Sequence, residues 1–368
     1  MKISFIGDIM LGRFVQEKYR ASKYDLVSSD VIQQVEMSDC VIANLESPIT
    51  LEESPNASTF AGDSSLLDGL KWIDLFSLSN NHINDFGDKG INDTIINLDK
   101  LGFKQNGIYG DTYQPFEIET NDGKVAIVTC TDLLNRPFGE NSIFKVLHAN
   151  SQELIDVIQS YTAKDYFVIV FAHCGSLFSR IPSPNTRNLI HSYIDNGCKA
   201  IVTSHSHCLG GCEFYNNVPI FWNIGDFLMD GGSYRRRRAC VLSLTICDNV
   251  IQQWDIVPTI TNQDLQVILP QARDRELIMK SFSNASRMMK KTRKSYDIFY
   301  KIQYRIEMIS HSLSTLSFLY NTKGFWGFLK MIKKRNYEMI MILYRMILGK
   351  QKKFNPNSKH LLKNEDIR

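Results

Sequence analysis

The sequence lacks an apolar run long enough to cross a bilayer as a helix. Its most apolar late stretch, Met339 to Leu348, is too short to span and is bracketed by basic side chains such as Lys334 and Lys350. The chain opens on a strand-like run, Lys2 to Asp8, where a signal peptide would carry a charged region, an apolar region and a small-residue cleavage site. We therefore expect neither a transmembrane helix nor a signal peptide.

The cysteine pattern of a disulfide-stapled domain is also lacking. The 8 cysteines are spread over 368 residues, and several of them (Cys40, Cys130, Cys240 and Cys247) lie inside strand-like runs. Disulfide frameworks belong to short secreted chains, so we expect reduced thiols and a cytoplasmic protein.

Acidic residues are scarce in the last part of the chain. About 22 Lys and Arg stand against 7 Asp and Glu from Gln271 onward, which leaves about 20 against 32 before that point. The front is therefore acidic, with a net charge near −12, and the tail is basic, near +15. We predict two parts, a catalytic domain over residues 1–270 and a basic helical tail over residues 271–368. The 43% hydrophobic content suits a domain with a sizeable core.

Strand-like runs alternate with amphipathic helical patterns in the front part, which predicts an α/β domain. The predicted strands are Ile3 to Gly7, Cys40 to Leu45, Ile73 to Leu78, Val125 to Cys130, Phe167 to Ala172 and Ala200 to Ser204, and the predicted helices are Ile91 to Leu101 and Leu154 to Tyr161. Three further runs follow in succession, Pro219 to Ile224, Ala239 to Cys247 and Ile251 to Val257, and they predict an antiparallel end.

Polar side chains stand where the predicted strands end. They are Asp8, Asn44, Glu46, Asn80, Asn81, His82, His173, His205 and His207. In open α/β sheets, ligands bind outside the carboxyl ends of the strands, so we expect these groups to converge on one site. The mix of carboxylates, an amide and imidazoles suits Mn, Zn or Fe better than Ca or Mg.

Taken singly, these residues have simpler interpretations. An Asp after a strand is usually a cap or a turn former, and a lone strand-end His such as His173 is more often a satisfied polar group than a ligand. The pair His205 and His207 is more informative, since alternate residues of an extended segment point the same way.

Three segments resemble the characteristic blocks of the capsule-synthesis CapA (poly-γ-glutamate biosynthesis) family of the calcineurin-like metallophosphoesterase superfamily. They are Gly7-Asp8-Ile9-Met10-Leu11-Gly12-Arg13, Ala43-Asn44-Leu45-Glu46-Ser47-Pro48-Ile49-Thr50 and Ser79-Asn80-Asn81-His82-Ile83-Asn84-Asp85-Phe86-Gly87. The resemblance runs from about residue 2 to 257 and leaves out the tail. It implies a four-layer α-β-β-α sandwich and one or two divalent metal ions.

The resemblance also implies a role for each residue. Asp8 and His207 would bind one metal, Asn81, His173 and His205 a second, and Glu46 would bridge the two. His82 would be the acid that protonates a leaving oxygen or stabilises charge on a phosphoryl group. Asn44 would hold a ligand in place.

The chain departs from the family pattern at several points. The superfamily's Asp-x-His opening is Asp8-Ile9-Met10, so the first metal lacks an imidazole, and the family's Gly-Asn-Phe block is Gly225-Asp226-Phe227. The His-Trp-Gly-x-Glu and Gly-x-His-Pro-His blocks are His173-Cys174-Gly175-Ser176-Leu177 and Ser204-His205-Ser206-His207. The ligand histidines are present while their neighbours differ.

Two basic features suggest partners. The run Arg235, Arg236, Arg237 and Arg238 is either a solvated loop or a binding site for a phosphate or polycarboxylate substrate. The tail interleaves cations with apolar side chains, as in Phe325 to Arg335, which favours peripheral attachment to an anionic membrane surface. Packing of the tail on the domain is the main alternative, and we expect no nucleic-acid partner.

The leading hypothesis is a metal-dependent hydrolase or transferase, cleaving a phosphoester or diphosphate bond, or else an amide. It would act on an anionic polymer or phosphorylated carrier in capsule or other surface-polymer biosynthesis, at the inner membrane face. The alternative is a non-catalytic accessory protein of a capsule or polyglutamate synthase with a structural metal site.

Overall fold

The computed structural model describes residues 1–22, 24–53, 60–230, 236–291 and 295–309. Residues Met1–Phe318 form one compact unit, and a second unit, Leu319–Arg368, lies outside the described residues.

The helices and strands follow the predicted alternation. The helices are α1 (Arg13–Ser22), α2 (Ser29–Gln33), α3 (Gly87–Lys100), α4 (Gln152–Ala163), α5 (Pro184–Asp195), α6 (Ala272–Met289) and α7 (residues 295–309), with a 3-10 helix at Ser64–Leu70. The strands are β1 (Lys2–Ile9), β2 (Cys40–Leu45), β3 (Leu75–Ser77), β4 (Lys104–Asn106), β5 (Ile108–Tyr109), β6 (Phe116–Thr120), β7 (Gly123–Thr131), β8 (Lys145–Val146), β9 (Phe167–His173), β10 (Ala200–Ser204), β11 (Cys212–Tyr215), β12 (Val218–Phe221), β13 (Asp226–Leu228), β14 (Arg238–Cys247), β15 (Val250–Thr261) and β16 (Val267–Ile268).

The first sheet combines a parallel half with an antiparallel half. Its order is β16-β15-β14-β1-β2-β3-β4, and β13 pairs with β1 as an eighth strand. Strands β1 to β4 and β13 are parallel, whereas β14, β15 and β16 run antiparallel to their neighbours. The predicted antiparallel end therefore exists at β14 and β15.

The second sheet has the order β11-β12-β10-β9-β7-β6. Its four central strands, β7, β9, β10 and β12, are parallel, and β6 and β11 close its edges in antiparallel pairs. The predicted run Pro219 to Ile224 contains β12, which pairs antiparallel with β11 but parallel with β10, so the antiparallel expectation holds on only one of its sides. A crossover returns this strand beside β10, so its buried apolar residues face the core of the second sheet.

The two sheets pack face to face and carry helices on their outer faces. Between the sheets, Phe5 of β1 meets Phe171 of β9 with ring centroids 5.6 Å apart. A second core fills the space between the first sheet and α1, α2, α3 and the 3-10 helix. A third lies between the second sheet and α4 and α5. These layers confirm the four-layer α-β-β-α sandwich.

Helices α6 and α7 pack on the sandwich. The sequence had assigned these residues to a separate basic tail that begins at residue 271. Ile278 and Phe282 of α6 enter the core between the sheets, and Tyr296 and Tyr300 of α7 join the core under the second sheet. The three- to four-residue spacing of the apolar side chains fits a membrane face and a protein core equally well. In α6 and α7, the apolar side chains with this spacing are buried in the protein core. No helix within the described ranges is long and apolar enough to cross a membrane.

Candidate metal centre

The predicted residues meet at one end of the sandwich, where parallel strands of both sheets finish. Asp8 lies near the end of β1, Glu46 directly follows β2, and His173 is the last residue of β9. His205 directly follows β10, and Asn81 lies in the turn after β3. All five are buried. The convergence on one rim that strand topology predicts is therefore present in the fold.

Asn44 connects the two sheets at the floor of this centre. Its Nδ2 donates to Oδ1 of Asp8 at 2.7 Å and lies 3.1 Å from Nδ1 of His173. Its Oδ1 accepts from Nδ2 of Asn80 at 3.2 Å. The second oxygen of Asp8 accepts the backbone N–H of His205 at 3.0 Å. Asn44 thus fixes the orientation of Asp8 without offering its own oxygen to the centre.

Two overlapping groups of side chains can each hold a cation. The first is Glu46, His173 and His205, and the second is Asp8, Glu46 and His207; within each, the ligand atoms lie within 4.8 Å of one another. Glu46 belongs to both groups, as a bridging ligand would. Oδ1 of Asn81 lies 2.7 Å from Nε2 of His173, beside the first group.

Unpartnered buried atoms show that these residues fit a metal. Neither carboxylate oxygen of Glu46 has a hydrogen-bond partner within the described residues, and neither does Nε2 of His205. A buried polar group without a hydrogen bond costs roughly 2 to 7 kcal/mol, and an uncompensated buried carboxylate costs more. A divalent cation between the carboxylates and imidazoles would compensate both.

The charges of the centre depend strongly on one another. Burial alone would raise the pKa of Asp8, but the neighbouring His173 outweighs burial and lowers it well below its usual range. Burial would lower the pKa of His173, yet Asp8 and Glu46 raise it to about 10. Burial, aided by His173 and His207, lowers the pKa of His205 well below its ordinary value. Without a cation, a protonated His173 thus neutralises the carboxylates, and a bound metal would take over that charge.

His82 lies beside the centre and contacts Asp85, Asn135 and Phe60. Its Nδ1 lies 2.7 Å from Oδ2 of Asp85, and Nδ2 of Asn135 lies 3.2 Å from the same nitrogen. The Phe60 ring covers the imidazole with centroids 4.2 Å apart. Asn135 also donates its backbone N–H to the carbonyl of Asn81 at 2.9 Å, which ties His82 to the metal centre.

The segment that carries His205 and His207 is not extended. His205 has a φ of 100° and His207 a φ of 57°, so the argument from alternate residues of a strand is wrong. Two left-handed residues turn the chain sharply after β10 instead. The turn still brings the two rings to 6.2 Å between centroids. Residues with such strained backbone angles persist only where surrounding contacts fix them, and they are common at functional sites.

The arginine run is divided between two environments. Arg235 lies outside the described residues. Nε of Arg236 lies 3.9 Å from Oδ2 of Asp226, and its guanidinium stands 5.3 Å from the centre of the Phe178 ring. Arg238 lines a cavity of about 180 Å³ together with Arg180 and Lys280. The backbone carbonyl of Arg237 accepts from Thr261 at 2.8 Å.

Several site residues escaped the sequence reasoning. Asp226, Asp85, Asn135 and Asp132 contact or neighbour the predicted ligands. Asp226 and Asp85 stand inside blocks that the resemblance had already singled out, so their positions were a usable signal. Asn135 and Asp132 follow β7 and come near the centre only through the folding of the loop after that strand.

Met10 occupies the place of the missing imidazole without acting as a ligand. Its sulfur accepts the backbone N–H of Gly12 at 3.2 Å, and its side chain is fully buried. A cation near Asp8 would therefore have carboxylate oxygens and His207 as its donors, without the second imidazole of the superfamily pattern.

The fold and the site define an α/β protein of the four-layer α-β-β-α class that carries a candidate metal centre of buried carboxylates and imidazoles at the strand ends. A family model described as "Bacterial capsule synthesis protein PGA_cap" matches residues 2–231. Because this match covers more than half of the chain, the protein belongs to the PGA_cap family of bacterial capsule synthesis proteins.

The chain is also similar to individual known proteins. The chain is 26% identical over 272 residues to "PGA biosynthesis protein CapA" of Bacillus subtilis (strain 168), which covers 70% of this chain and 71% of that protein. It is 28% identical over 278 residues to "Capsule biosynthesis protein CapA" of Bacillus anthracis, which covers 70% and 67%. A putative 5'-nucleotidase from Staphylococcus aureus, solved in complex with alpha-ketoglutarate, superposes with a TM-score of 0.48 and 13% identity. That superposition covers 77% of this chain and 58% of the solved one.

Proposed function

We propose that the protein is a metal-dependent hydrolase, or a transferase of the same chemistry, that cleaves a phosphoester or diphosphate bond in capsule or other surface-polymer biosynthesis. The observation that carries the proposal is the buried carboxylate of Glu46: neither of its oxygens makes a hydrogen bond within the described residues, and its Oε1 lies 3.5 Å from Nε2 of His173, in one group with His205. A purely structural carboxylate in the core would have hydrogen-bond donors of its own.

Two metal positions follow from the donor atoms. Asp8, Glu46 and His207 would hold one ion, and Glu46, His173, His205 and the amide oxygen of Asn81 the other. Mn, Zn or Fe suits this mixture of oxygen and nitrogen donors. Such an ion supplies a polarised phosphoryl oxygen and a nucleophile derived from water near neutral pH. Asn44 holds the carboxylate of Asp8 in the orientation that this requires.

His82 would deliver the proton to the leaving oxygen. Donation from Nδ1 to Asp85 holds the ring in one orientation and leaves Nε2 as the nitrogen that carries the transferred proton. The Phe60 ring shields the imidazole on one face, which limits competing exchange with bulk water.

The substrate class follows from charge. Arg236 lies next to the candidate metal centre through Asp226. Arg238, Arg180 and Lys280 line a cavity together with Glu307, and Arg180 is ion-paired to Glu307, which leaves an excess of basic side chains. Guanidinium groups bind phosphate and carboxylate oxygens in pairs. Together with the names of the Bacillus relatives, this supports an anionic polymer or a phosphorylated carrier as the substrate.

Metal analysis and turnover test the proposal on the same sample. The purified full chain is stripped with a chelator, reloaded with Mn²⁺, Zn²⁺ or Fe²⁺, analysed for bound metal, and assayed with bis(4-nitrophenyl) phosphate, 4-nitrophenyl phosphate and poly-γ-glutamate. We expect up to two ions per chain and metal-dependent release of nitrophenolate. Stable metal binding with no turnover of any phosphoester would contradict the proposal.

Such a result would favour the second candidate, a non-catalytic accessory protein of a polymer synthase. The observation in its favour is Met10, whose sulfur bonds to Gly12 and leaves the first metal position one imidazole short. In that case the centre would stabilise the fold, and its removal would lower the melting temperature with no activity to lose.

A further inference from the structure

Asp226 lies at the metal centre, although only the folded chain brings it there. It opens β13, which pairs in parallel with β1 so that Asp226 stands opposite Asp8. The strands approach this closely because residue 7 is a glycine: a Cβ at Gly7 would lie 1.9 Å from the carbonyl oxygen of Gly225. The backbone N–H of Asp8 donates to that same oxygen at 3.1 Å.

The carboxylate of Asp226 binds the imidazole of His207. Its Oδ1 lies 2.8 Å from Nδ1 of His207, and its side chain is only 1% exposed. Among the described residues its Oδ2 has no hydrogen-bond partner, and it lies 3.9 Å from Nε of Arg236. A buried carboxylate is thus directed at the ring nitrogen of a predicted ligand.

We propose that Asp226 is a positioning residue for the metal centre. By accepting a hydrogen bond from Nδ1–H, it fixes His207 in the tautomer whose Nε2 is available to a cation. It also adds a third carboxylate to the half of the centre formed by Asp8 and Glu46. The family pattern has Asn at this position, and an amide would orient the ring without contributing charge. The carboxylate offsets the imidazole that Met10 does not supply.

This inference rests on the proposed function, because it assumes a cation at the Asp8 and His207 position. The variant Asp226→Asn keeps the size and the acceptor oxygen but removes the charge, and Asp226→Ala removes both. The matched control is Asp264→Asn, which neutralises an exposed carboxylate paired with Lys18. Melting temperatures of the metal-free proteins identify any variant that fails to fold.

Two readouts that need no turnover test the proposal. Titration calorimetry of the stripped full chain with Mn²⁺ or Zn²⁺ should show about 10-fold weaker binding in Asp226→Asn and about 100-fold weaker binding in Asp226→Ala. Imidazole ¹⁵N spectra of the metal-free protein should show His207 protonated at Nδ1 in the wild type and in Asp226→Asn. In Asp226→Ala this signature should be lost. The Asp264→Asn control should match the wild type in both.

The outcomes separate the inference from the proposed function. If the wild type binds no divalent metal, the proposed function fails, and the inference fails with it. If the wild type binds metal while Asp226→Asn and Asp226→Ala bind it equally well, only the inference is overturned. An unchanged His207 spectrum in Asp226→Ala would also overturn it.

Discussion

At the residue scale, the candidate centre consists of polar and charged groups whose burial is unfavourable and would be compensated by a single bound cation. Within the described part of the chain, neither oxygen of Glu46 makes a hydrogen bond, although Oε1 lies 3.5 Å from Nε2 of His173, and Nε2 of His205 makes none either. Burial lowers the pKa of His205, so its imidazole is neutral and able to bind a metal at neutral pH. A cation compensates the carboxylate and the imidazole together, which makes each of them sensitive to replacement.

We expect His205→Ala and Asn81→Ala each to lower metal occupancy and to reduce phosphoester turnover by more than about 100-fold, because each removes a donor atom from the same ion. Elemental analysis and turnover of 4-nitrophenyl phosphate measure the two effects. His148→Ala is the matched control, since that imidazole is exposed and belongs to neither metal group. Full metal content and activity in His205→Ala would remove it from the ligand set.

His82→Ala should behave differently from the ligand variants. Loss of a general acid costs roughly 10² to 10⁴-fold in rate and leaves the ion in place. We expect turnover to fall within that range while metal content stays at the wild-type value. The same elemental analysis checks this, and a large loss of metal would make His82 a ligand instead.

At the element scale, a buried ionic cluster joins α5, β11 and the end of α6. Oε1 of Glu213 accepts from Nη2 of Arg187 at 2.5 Å and lies 2.9 Å from Nε2 of His191, while Oε2 accepts from Trp222 at 3.0 Å. Nη2 of Arg187 also donates to the carbonyl of Met289 at 2.6 Å. The last turn of α6 is therefore held to the sandwich by an arginine that Glu213 orients.

The stability contributed by this cluster should depend on pH. Burial alone would raise the pKa of Glu213, but the hydrogen bonds with His191 and Arg187 outweigh burial and lower it below its usual value of 4.5. A carboxyl group whose pKa falls on folding stabilises the fold above its unfolded pKa, and this contribution is lost as the pH falls through the folded pKa.

We therefore expect Glu213→Gln to lower the free energy of unfolding by about 2 kcal/mol at pH 7, and by progressively less as the pH drops below 4.5. Urea unfolding across this pH range measures the difference. The exposed Glu140 offers a control, Glu140→Gln, which should have no effect at either end. A difference that stays constant down to pH 3 would mean that the charge of Glu213 is not what stabilises the cluster.

At the scale of the whole molecule, the basic segment is divided between the two compact units. Residues 272–309 bury Phe282, Met289, Tyr296 and Tyr300 in the cores of the sandwich. Beyond them, the sequence still alternates cations with apolar side chains, as in Lys333-Lys334-Arg335 and Phe325-Trp326. Membrane attachment is thus a prediction for the second unit, Leu319–Arg368, while α6 and α7 belong to the first.

Deletion of Leu319–Arg368 should weaken binding to anionic vesicles and leave metal binding unchanged. Each basic residue near an anionic surface contributes about 1 kcal/mol, so binding of the full chain should fall steeply with added salt, with a residual part due to apolar insertion. Sedimentation with phosphatidylserine vesicles at low and high salt compares the two forms, and neutral phosphatidylcholine vesicles are the control. Equal sedimentation of both forms would refute membrane attachment through this segment.

The sequence alone predicted the α/β class, most of the central strands and the five buried residues that meet at the candidate centre. Strand ends are visible in a sequence because alternation and apolar runs are local properties, and topology then places the carboxyl ends of parallel strands at one rim. Residues such as Asp8, His173 and His205 could be named for this reason. The change from an acidic to a basic composition at Gln271 was equally visible. It does not coincide with the boundary of the first compact unit, which ends at Phe318.

Only the tertiary structure decided what depends on distant segments meeting. Asp226 reaches His207 because β13 pairs with β1, and Asn135 reaches His82 because the loop after β7 folds back over the rim. The left-handed turn at His205 is held by contacts such as the bond from its N–H to Asp8, 197 residues away. The sequence of α6 is compatible with a lipid surface and with a protein core, because the same spacing of apolar side chains suits both. The tertiary structure decided for the protein core, since side chains of α6 complete the cores of the sandwich.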